Sequence, residues 1–388
     1  MPSSQDVTAR LGFGRSDVAA ALLARARQGP PVLLAGPPGA GKTTLLRALA
    51  DDLVREGWTP VYLDLMGAAS SPERFVTAAL RVLPAEAFAR RLAQATEIRR
   101  LADSGREQGA AAVQALFSLW ASLDEAAGRP VALLLDEATE IRSLAYFAGL
   151  RNLHRPFGAA LAARRRGTVL ATSFPTAARR LWPFDAIEAR PLTGLDVAPL
   201  LARLGAALDP QALVGACFGW PRYARILLDR VEQGPDLASA WALEMGPGGR
   251  LELACRQTYE SLLLRSRGYG MSKAVLDAVA HEEGLNLTAL VARLGRTPGA
   301  VRDYLQWLVH VDALRMTRKR YHYVDEMVRW WVRLHARGTV PSGSELAAAA
   351  AEVVAGAPTA TAPALVTAGR VEEPASPQRR PDSLMEID

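Results

Sequence analysis

Residues 36–43 of the chain read Gly36-Pro37-Pro38-Gly39-Ala40-Gly41-Lys42-Thr43. They match the pattern G-x-x-x-x-G-K-[ST] without a gap, after a short apolar stretch and before an amphipathic one at residues 44–55. Glycines let such a loop curl so that successive amide N–H groups point inward, and the positive end of the following helix dipole adds to this cradle. The segment therefore predicts a strand, a polyphosphate-binding loop and a helix.

Two side chains of this loop carry specific chemistry. We expect Lys42 to reach the β- and γ-phosphates of a nucleotide and the Thr43 hydroxyl to occupy a site on Mg²⁺. Backbone groups of the loop and the start of the helix complete the predicted phosphate site, which comprises Gly36, Pro37, Pro38, Gly39, Ala40, Gly41, Lys42, Thr43 and Thr44.

Around the loop, apolar strands alternate with helical stretches. Short buried strands are predicted at residues 31–35, 60–65, 131–135 and 168–172. This alternation is typical of a parallel sheet covered by helices on both faces. The sequence therefore predicts an α/β fold over its N-terminal half.

Two acids end the third of these strands. Asp136 and Glu137 follow five apolar residues, as expected where a parallel strand enters a site at its carboxyl end. Asp136 is predicted to hold the Mg²⁺ shell, and Glu137 to orient and deprotonate an attacking water. The alternative is a polar helix cap, which acids also favour. The adjacent glutamate favours a hydrolase over a kinase-like or GTPase site.

The next strand ends in hydroxyl side chains. Thr172 or Ser173 is placed to sense the γ-phosphate, and a plain strand end is the alternative. Arg179 and Arg180 follow, before a predicted strand at residues 185–189, where oligomeric ATPases present an arginine to a neighbour's nucleotide. A solvated surface is the competing interpretation of these two arginines.

These motifs resemble a P-loop NTPase of the AAA+/STAND group, most like archaeal-type ATPases with a C-terminal winged helix. Residues 13–17, Phe-Gly-Arg-Ser-Asp, resemble the N-terminal segment of that group, and residues 184–192 the strand that leads into its lid. The resemblance covers about residues 10–338. It implies that Pro221 packs near the nucleotide, that Arg222 is a second sensor, and that the base is adenine.

Two features of the sequence depart from this family pattern. Ala171-Thr172-Ser173 stands where the family usually has Gly-Ser after the sensor strand, and no repeat domain follows. The second departure argues against a large STAND signalling receptor.

Composition shifts divide the chain into four predicted parts. The resulting fold class is a parallel-sheet P-loop NTPase of the ASCE/AAA+ type with a helical lid and a C-terminal winged-helix domain. A Gly-Pro-Gly-Gly linker at residues 246–249 and an Ala-, Pro- and Ser-rich end mark the later boundaries. The predicted parts are a P-loop ATPase core at 1–193, a helical lid at 194–249, a winged-helix domain at 250–338 and a disordered tail at 339–388. Within the tail, residues 344–354 are a candidate for a frayed helix.

Within the third part, three helices are followed by a hairpin. Thr297-Pro298 is expected to start the third helix, which buries a stripe of Val301, Leu305 and Leu308. On its outer face lie Arg302, Gln306 and His310, and a basic hairpin tip follows at Arg318, Lys319 and Arg320. Such a module binds double-stranded DNA in some relatives and only packs on the nucleotide domain in others.

Composition limits the partners and the compartment. The 388 residues carry a net charge of +6 with a pI near 9.6, which permits an anionic partner. No apolar run approaches the roughly 20 residues that cross a bilayer, so no membrane insertion is expected. Two cysteines form no disulfide framework, and the N-terminus shows no apolar signal region, so a cytoplasmic location is expected.

These observations predict a Mg²⁺-dependent ATP-binding and ATP-hydrolysing switch that couples its ATP or ADP state to a DNA or protein partner. Two alternatives remain open. One is a DNA-binding initiator or regulator in which ATP is mainly a structural ligand, and the other is an ATP-dependent homo-oligomeric scaffold.

Overall fold

The computed structural model describes residues 13–83, 92–104, 108–123, 125–126, 128–336 and 338–356. Its centre is a sheet of five parallel strands in the order β2-β4-β5-β1-β6, with the short β3 antiparallel to β4 at one side. The predicted parallel sheet is thereby confirmed. The strands are β1 Val32–Ala35, β2 Thr59–Asp64, β3 Glu125–Ala126, β4 Arg129–Asp136, β5 Thr168–Thr172 and β6 Asp185–Glu188.

The register of the strands brings their carboxyl ends together. Ala35, at the end of β1, pairs with Thr172 of β5, and Asp136 of β4 pairs with Asp64 of β2. Helices cover both faces, so alternate residues of one strand face different cores: Val32 and Leu34 one, Leu33 the other. Burial on both faces explains why the strands read as continuous apolar runs.

The helices of this sheet unit (residues 13–192) lie between its strands. They are α1 Ser16–Gln28, α2 Lys42–Arg55, α3 Leu65–Ala68, α4 Pro72–Val82, α5 Leu92–Asp103, α6 Gly109–Ala121, a 3₁₀ helix Ala138–Tyr146, α7 His154–Ala162 and α8 Pro175–Leu181.

Helices also make up most of the remaining described chain. Four middle helices (residues 194–245) come first, a linking helix joins them to the third unit (residues 269–335), and a last helix follows. They are α9 Gly194–Leu204, α10 Pro210–Ala216, α11 Pro221–Val231, α12 Leu237–Met245, the linking helix α13 Arg250–Arg265, α14 Tyr269–His281, α15 Leu287–Leu294, α16 Pro298–His310, β7 Leu314–Thr317, β8 Arg320–Tyr323, α17 Glu326–His335 and α18 Gly343–Ala355.

The third unit has the predicted order of three helices and a hairpin. Thr297 caps α16 and Pro298 opens it, and the expected apolar stripe of α16 is fully buried. The hairpin turn is formed by Arg318 and Lys319, both in left-handed backbone conformation. Arg320 differs from the expectation, because it lies in β8 and its guanidinium donates to the Gly284 carbonyl.

The expectation of disorder from residue 339 does not hold at residues 343–355, where the helix that was expected only as a frayed one is capped and packed as α18. Ser342 and Glu345 form a capping box at its start. Leu346, Ala349, Ala350 and Val353 are buried, and the helix packs on α12 and α10. The local spacing of small and apolar residues indicated a helix, but its burial depends on partners elsewhere in the chain. The rest of the predicted tail, residues 357–388, lies outside the described residues.

The third unit also contacts the sheet unit directly. Both carboxylate oxygens of Asp312, just after α16, accept hydrogen bonds from Thr176 of α8, at 3.1 Å from N and 2.6 Å from Oγ1. His310 does not face outward as expected, because its Nδ1 lies 3.0 Å from Nη1 of Arg180. Arg302 and Gln306 are exposed. In the described part of the chain, no helix is long and apolar enough to cross a membrane.

Asp312 is expected to make this contact pH-dependent. Burial raises the pKa of Asp312 to about 6, while the hydrogen bonds from Thr176 and the nearby Arg179 oppose the shift. A raised pKa in the folded state gives stability that is complete below the unfolded value of about 3.9 and is lost as the pH rises through about 6. The thermal stability of the wild type relative to Asp312→Asn should therefore fall between about pH 4 and pH 7.

Asparagine tolerates the positive φ of 55° at this position, so the substitution removes the titrating charge, together with one of the two hydrogen bonds from Thr176, without adding backbone strain. Asp303→Asn, on the exposed face of α16, is the matched control. A difference that follows the control at every pH would contradict the expectation.

Candidate functional site

The loop between β1 and α2 has the predicted geometry of a phosphate cradle. Gly39 and Gly41 have φ values of 84° and 79°, a left-handed conformation that glycine adopts without strain. Gly41 is the residue before the first turn of α2, a 14-residue helix. The amide groups of its first turn and the positive end of its dipole face the cavity described below.

Lys42 holds the loop against the next strand of the sheet. Its side chain is only 4% exposed, and its Nζ donates to the carbonyl oxygens of Gly36 and Pro37 at 2.9 and 3.0 Å. The third bond goes to Ser173 Oγ at 2.8 Å. Burial lowers the pKa of Lys42, which the carboxylate of Glu137 opposes. An ammonium in this position is available to a polyphosphate at the same site.

Thr43 and Asp136 meet at the side of the loop. The Thr43 hydroxyl donates to Asp136 Oδ2 at 2.6 Å, and the Tyr62 hydroxyl donates to the same oxygen at 2.8 Å. The backbone N–H of Glu137 binds the other oxygen at 3.0 Å. A hydroxyl beside a fixed carboxylate suits Mg²⁺, which uses few protein oxygens and takes the rest from water and phosphate.

Glu137 contacts Lys42 and Ser173 in the same site. Its Oε1 accepts from Ser173 Oγ at 2.5 Å and lies 3.9 Å from Lys42 Nζ, and its Oε2 accepts from Ser173 N at 3.1 Å. Burial raises the pKa of Glu137, while Lys42 and Ser173 oppose the rise. Its φ of 47° turns the chain sharply at the strand end, which directs the side chain into the site.

The structure separates the two sensor candidates. Thr172 is fully buried, and its hydroxyl lies 3.3 Å from that of Thr139 and accepts from Phe174 N at 3.0 Å. Ser173 bonds both Lys42 and Glu137 and lines the cavity. Ser173 is therefore the hydroxyl that the structure offers to a ligand.

The middle helices touch the loop at Pro221 and Arg222. The N–H of Arg222 donates to the Gly39 carbonyl at 3.2 Å. A Cβ added at Gly39 would lie 2.9 Å from the Arg222 Cβ, and one added at Gly41 would lie 3.6 Å from Pro221 Cγ. The start of α11 therefore packs directly on the phosphate loop.

Arg15 contacts the loop from a third side, which no spacing in the sequence indicated. Its Nη1 donates to the Ala40 carbonyl at 2.7 Å, and its Nη2 would lie 2.5 Å from a Cβ at Gly41. Burial lowers the pKa of Arg15 to about 10, so the guanidinium stays charged at neutral pH. The segment is held in place by a bond from Gly14 N to the Asp196 carbonyl of α9 at 2.8 Å.

These groups surround a cavity of about 910 Å³ between the sheet unit, the middle helices and α13. Of the predicted phosphate set, Pro38, Gly39, Gly41, Lys42, Thr43 and Thr44 line it, together with Pro221 and Arg222. Gly36, Pro37 and Ala40 contribute carbonyl oxygens behind its wall. Cavities of this size are typical of small-ligand sites.

Sequence analysis missed three arginines that line the cavity. The two arginines that it predicted to contact a neighbour's nucleotide lie outside the lining. Arg203, Arg225 and Arg265 line the cavity but belong to helices far apart in the chain. Arg179 pairs with Glu188 and Arg180 with His310, and both are exposed away from the lining. Only the tertiary fold brings the three lining arginines to one site.

The fold and site together define a P-loop ATPase. Residues 13–157 match the protein family described as the AAA ATPase domain, so the nucleotide-binding part of this chain is a domain of the AAA+ type. A search of curated proteins found no match.

Several solved structures align with the chain over most of its length. The Walker-type ATPase PabY2304 of Pyrococcus abyssi has a TM-score of 0.62 at 16% identity, over 83% of this chain and 96% of that one. The ORC2 protein of Aeropyrum pernix has a TM-score of 0.43 at 15% identity, over 88% and 93%. The RuvB Holliday junction branch migration motor of Thermotoga maritima has 0.34 at 19%, over 80% and 90%. At 16% identity, the similarity to the P. abyssi structure shows that the two chains share a fold.

The contact between Gly39 and Arg222 can be tested by adding one methyl group. Gly39→Ala places a Cβ against Arg222 and displaces this arginine from the loop. ATP affinity should fall at least about tenfold, which is the size expected for the loss of one hydrogen bond to a charged group. Calorimetric titration with ATP measures the loss.

Gly57→Ala is the matched control, since Gly57 has a φ of 80° and open space around it. Both substitutions should cost about 1–2 kcal/mol of unfolding free energy from backbone strain. Equal ATP affinity in the two variants would show that the packing of Arg222 on the loop is unimportant for binding.

Proposed function

We propose that the protein is a Mg²⁺-dependent ATP switch, in which hydrolysis by Glu137 governs the position of the helical lid (the middle helices) and of the third unit. One observation carries the proposal: Lys42, Ser173 and Glu137 form a single hydrogen-bonded group at the phosphate loop, with Arg222 of the lid packed on the same loop. The domain boundaries at residues 193, 249 and 338 are part of this proposal.

Ligand binding at the loop competes for these hydrogen bonds. Lys42 donates to the carbonyl of Gly36 and to Ser173, and Ser173 donates to Glu137; the γ-phosphate of ATP accepts from the same two donors. Once Lys42 and Ser173 turn to the phosphate, the Glu137 carboxylate is available to a water. Thr43 and Asp136 would hold Mg²⁺, which neutralises phosphate charge when bound.

Hydrolysis then uses Glu137 as the general base. Its carboxylate takes a proton from the water while the water oxygen bonds to the γ-phosphorus. The bond from that phosphorus to the oxygen bridging to the β-phosphate breaks, which leaves ADP and inorganic phosphate. The raised pKa of Glu137 makes it a stronger base than an exposed glutamate. Lys42 and the first turn of α2 stabilise the negative charge.

The roles of the remaining predicted residues follow from their places. Ser173 is the γ-phosphate sensor, and Thr172 holds the strand end through its hydroxyl. Pro221 and Arg222 report the nucleotide to the lid. Arg179 and Arg180 stay candidates for a contact with a neighbouring copy, since both are exposed.

The hydrolysis role of Glu137 can be tested with two substitutions. Glu137→Gln should keep ATP binding but reduce turnover by about 100-fold or more, because the base is lost while the shape of the site is kept. Lys42→Ala should abolish ATP binding. Steady-state phosphate release and calorimetric ATP titration measure the two effects.

Exposed or remote residues of the same type serve as controls. Glu232→Gln, at an exposed position, and Lys273→Ala, in the third unit, should leave both quantities unchanged. Normal turnover in Glu137→Gln would remove the assigned base, and absence of turnover in the wild type would favour ATP as a structural ligand.

We further propose that the third unit is a winged helix that binds double-stranded DNA. Arg302 is exposed on α16, and the hairpin turn presents Arg318 and Lys319. Arg320 supports the hairpin through Gly284 rather than offering its guanidinium to a phosphate. The exposed Asp303 opposes phosphate contact on the same helix. A protein partner and a homo-oligomer are the competing proposals for what the switch controls.

Removing the charges of the turn tests the DNA proposal. Arg318→Ala combined with Lys319→Ala should weaken duplex binding and reduce the slope of log affinity against log salt by about 0.9 per lost phosphate contact, or up to about 1.8. Fluorescence anisotropy at several salt concentrations measures both effects.

The control removes two exposed arginines of α4 in the sheet unit, Arg74 and Arg81. An equal change of slope in both variants would indicate unspecific charge attraction, and the absence of duplex binding by the wild type would exclude DNA as the partner.

A further inference from the structure

An arginine at the end of the linking helix enters the ATP site from the side of the third unit. Arg265 is the last residue of α13, and residues 266–268 join it to α14. Its side chain lines the same cavity as Lys42 and Glu137. No sequence motif marks this position.

The guanidinium of Arg265 is held beside the γ-phosphate sensor. Its Cζ lies 4.5 Å from the centroid of the Phe174 ring, and Phe174 is the buried residue that directly follows Ser173. A cation over an aromatic face at this distance is attracted to it. Arg265 is thereby placed at the phosphate end of the cavity, where the γ-phosphate is expected.

Its acidic partner, Glu140, leaves this arginine exchangeable. Nη2 of Arg265 lies 2.8 Å from Oε1 of Glu140, which is three residues after Glu137. Among the described residues, no donor is aligned for a hydrogen bond to that buried oxygen. The pair is therefore a charge contact without a directional hydrogen bond, and such contacts are weaker than aligned ones. A γ-phosphate offers more negative charge and several acceptor oxygens.

We propose that Arg265 binds the γ-phosphate of ATP in cis and gives up Glu140 when it does so. The inference rests on the proposed ATP site. ATP and ADP differ only in the γ-phosphate, so this exchange makes Arg265 a residue that distinguishes the two nucleotides. Because Arg265 ends α13, its movement toward the phosphate pulls on the chain that leads into the third unit.

Separate affinities for ATP and ADP test the proposal. They are measured by calorimetry with Mg²⁺ in the Glu137→Gln background, which limits turnover. Arg265→Gln should weaken ATP about tenfold or more, as for a lost hydrogen bond to a charged group, and change ADP affinity less than about twofold. Arg265→Lys should restore part of the preference for ATP.

Glu140→Gln gives an effect of opposite sign. It releases Arg265 from its carboxylate, so the preference for ATP over ADP should increase about severalfold. Arg256→Gln is the matched control on the same helix, since Arg256 is exposed and pairs with Glu252 outside the cavity lining. It should change neither affinity.

The outcomes separate the inference from the function on which it rests. An equal loss of ATP and ADP affinity in Arg265→Gln, or a weaker ATP preference in Glu140→Gln, would show that the pair is only structural and overturn the inference alone. Failure of the background protein to bind either nucleotide would overturn the proposed function and this inference together.

Discussion

The buried ammonium of Lys42 is the contact on which the rest of the site depends. A buried charge is costly unless hydrogen bonds and opposite charge compensate it. Here the compensation comes from two carbonyl oxygens of the phosphate loop, the hydroxyl of Ser173 and the nearby Glu137 carboxylate. These groups stand at the ends of β1, β5 and β4, three neighbouring strands. One side chain therefore ties the loop, Ser173 and the acidic strand end into a single unit.

Three arginines extend from segments outside the sheet to the cavity at the phosphate loop. Arg15, Arg222 and Arg265 reach the cavity from the N-terminal segment, the lid and the linking helix respectively. Arg15 and the backbone of Arg222 bind loop carbonyls, while Arg265 pairs with a carboxylate. A triphosphate in their midst is attracted to all three. Each of these segments can therefore move when a nucleotide binds. The Thr176–Asp312 contact joins the third unit to α8, the helix that follows β5.

Much of the sheet and the phosphate loop was predictable because the relevant signals are local. Apolar runs located the strands to within a few residues, and the loop pattern located Lys42 and Thr43. Other features were missed for physical reasons. The helix at Gly343–Ala355 was expected only as a frayed one, because its burial depends on partners on α10 and α12 that the sequence of the tail does not reveal. Arg320 is adjacent in sequence to the two basic residues of the hairpin turn. Its hydrogen bond to the Gly284 carbonyl depends on a segment 36 residues earlier, which the local sequence does not indicate.

The amino-acid sequence on its own determined the phosphate loop, the acidic strand end and the parallel sheet, because loop conformation and strand burial follow from neighbouring residues. Only the tertiary structure decided between Thr172 and Ser173, placed Arg15 on the loop, and brought Arg203, Arg225 and Arg265 to one cavity. These outcomes depend on which helices pack together and on which way each side chain turns. Contacts between residues far apart in the chain carry no fixed spacing, so they become visible only in the folded protein.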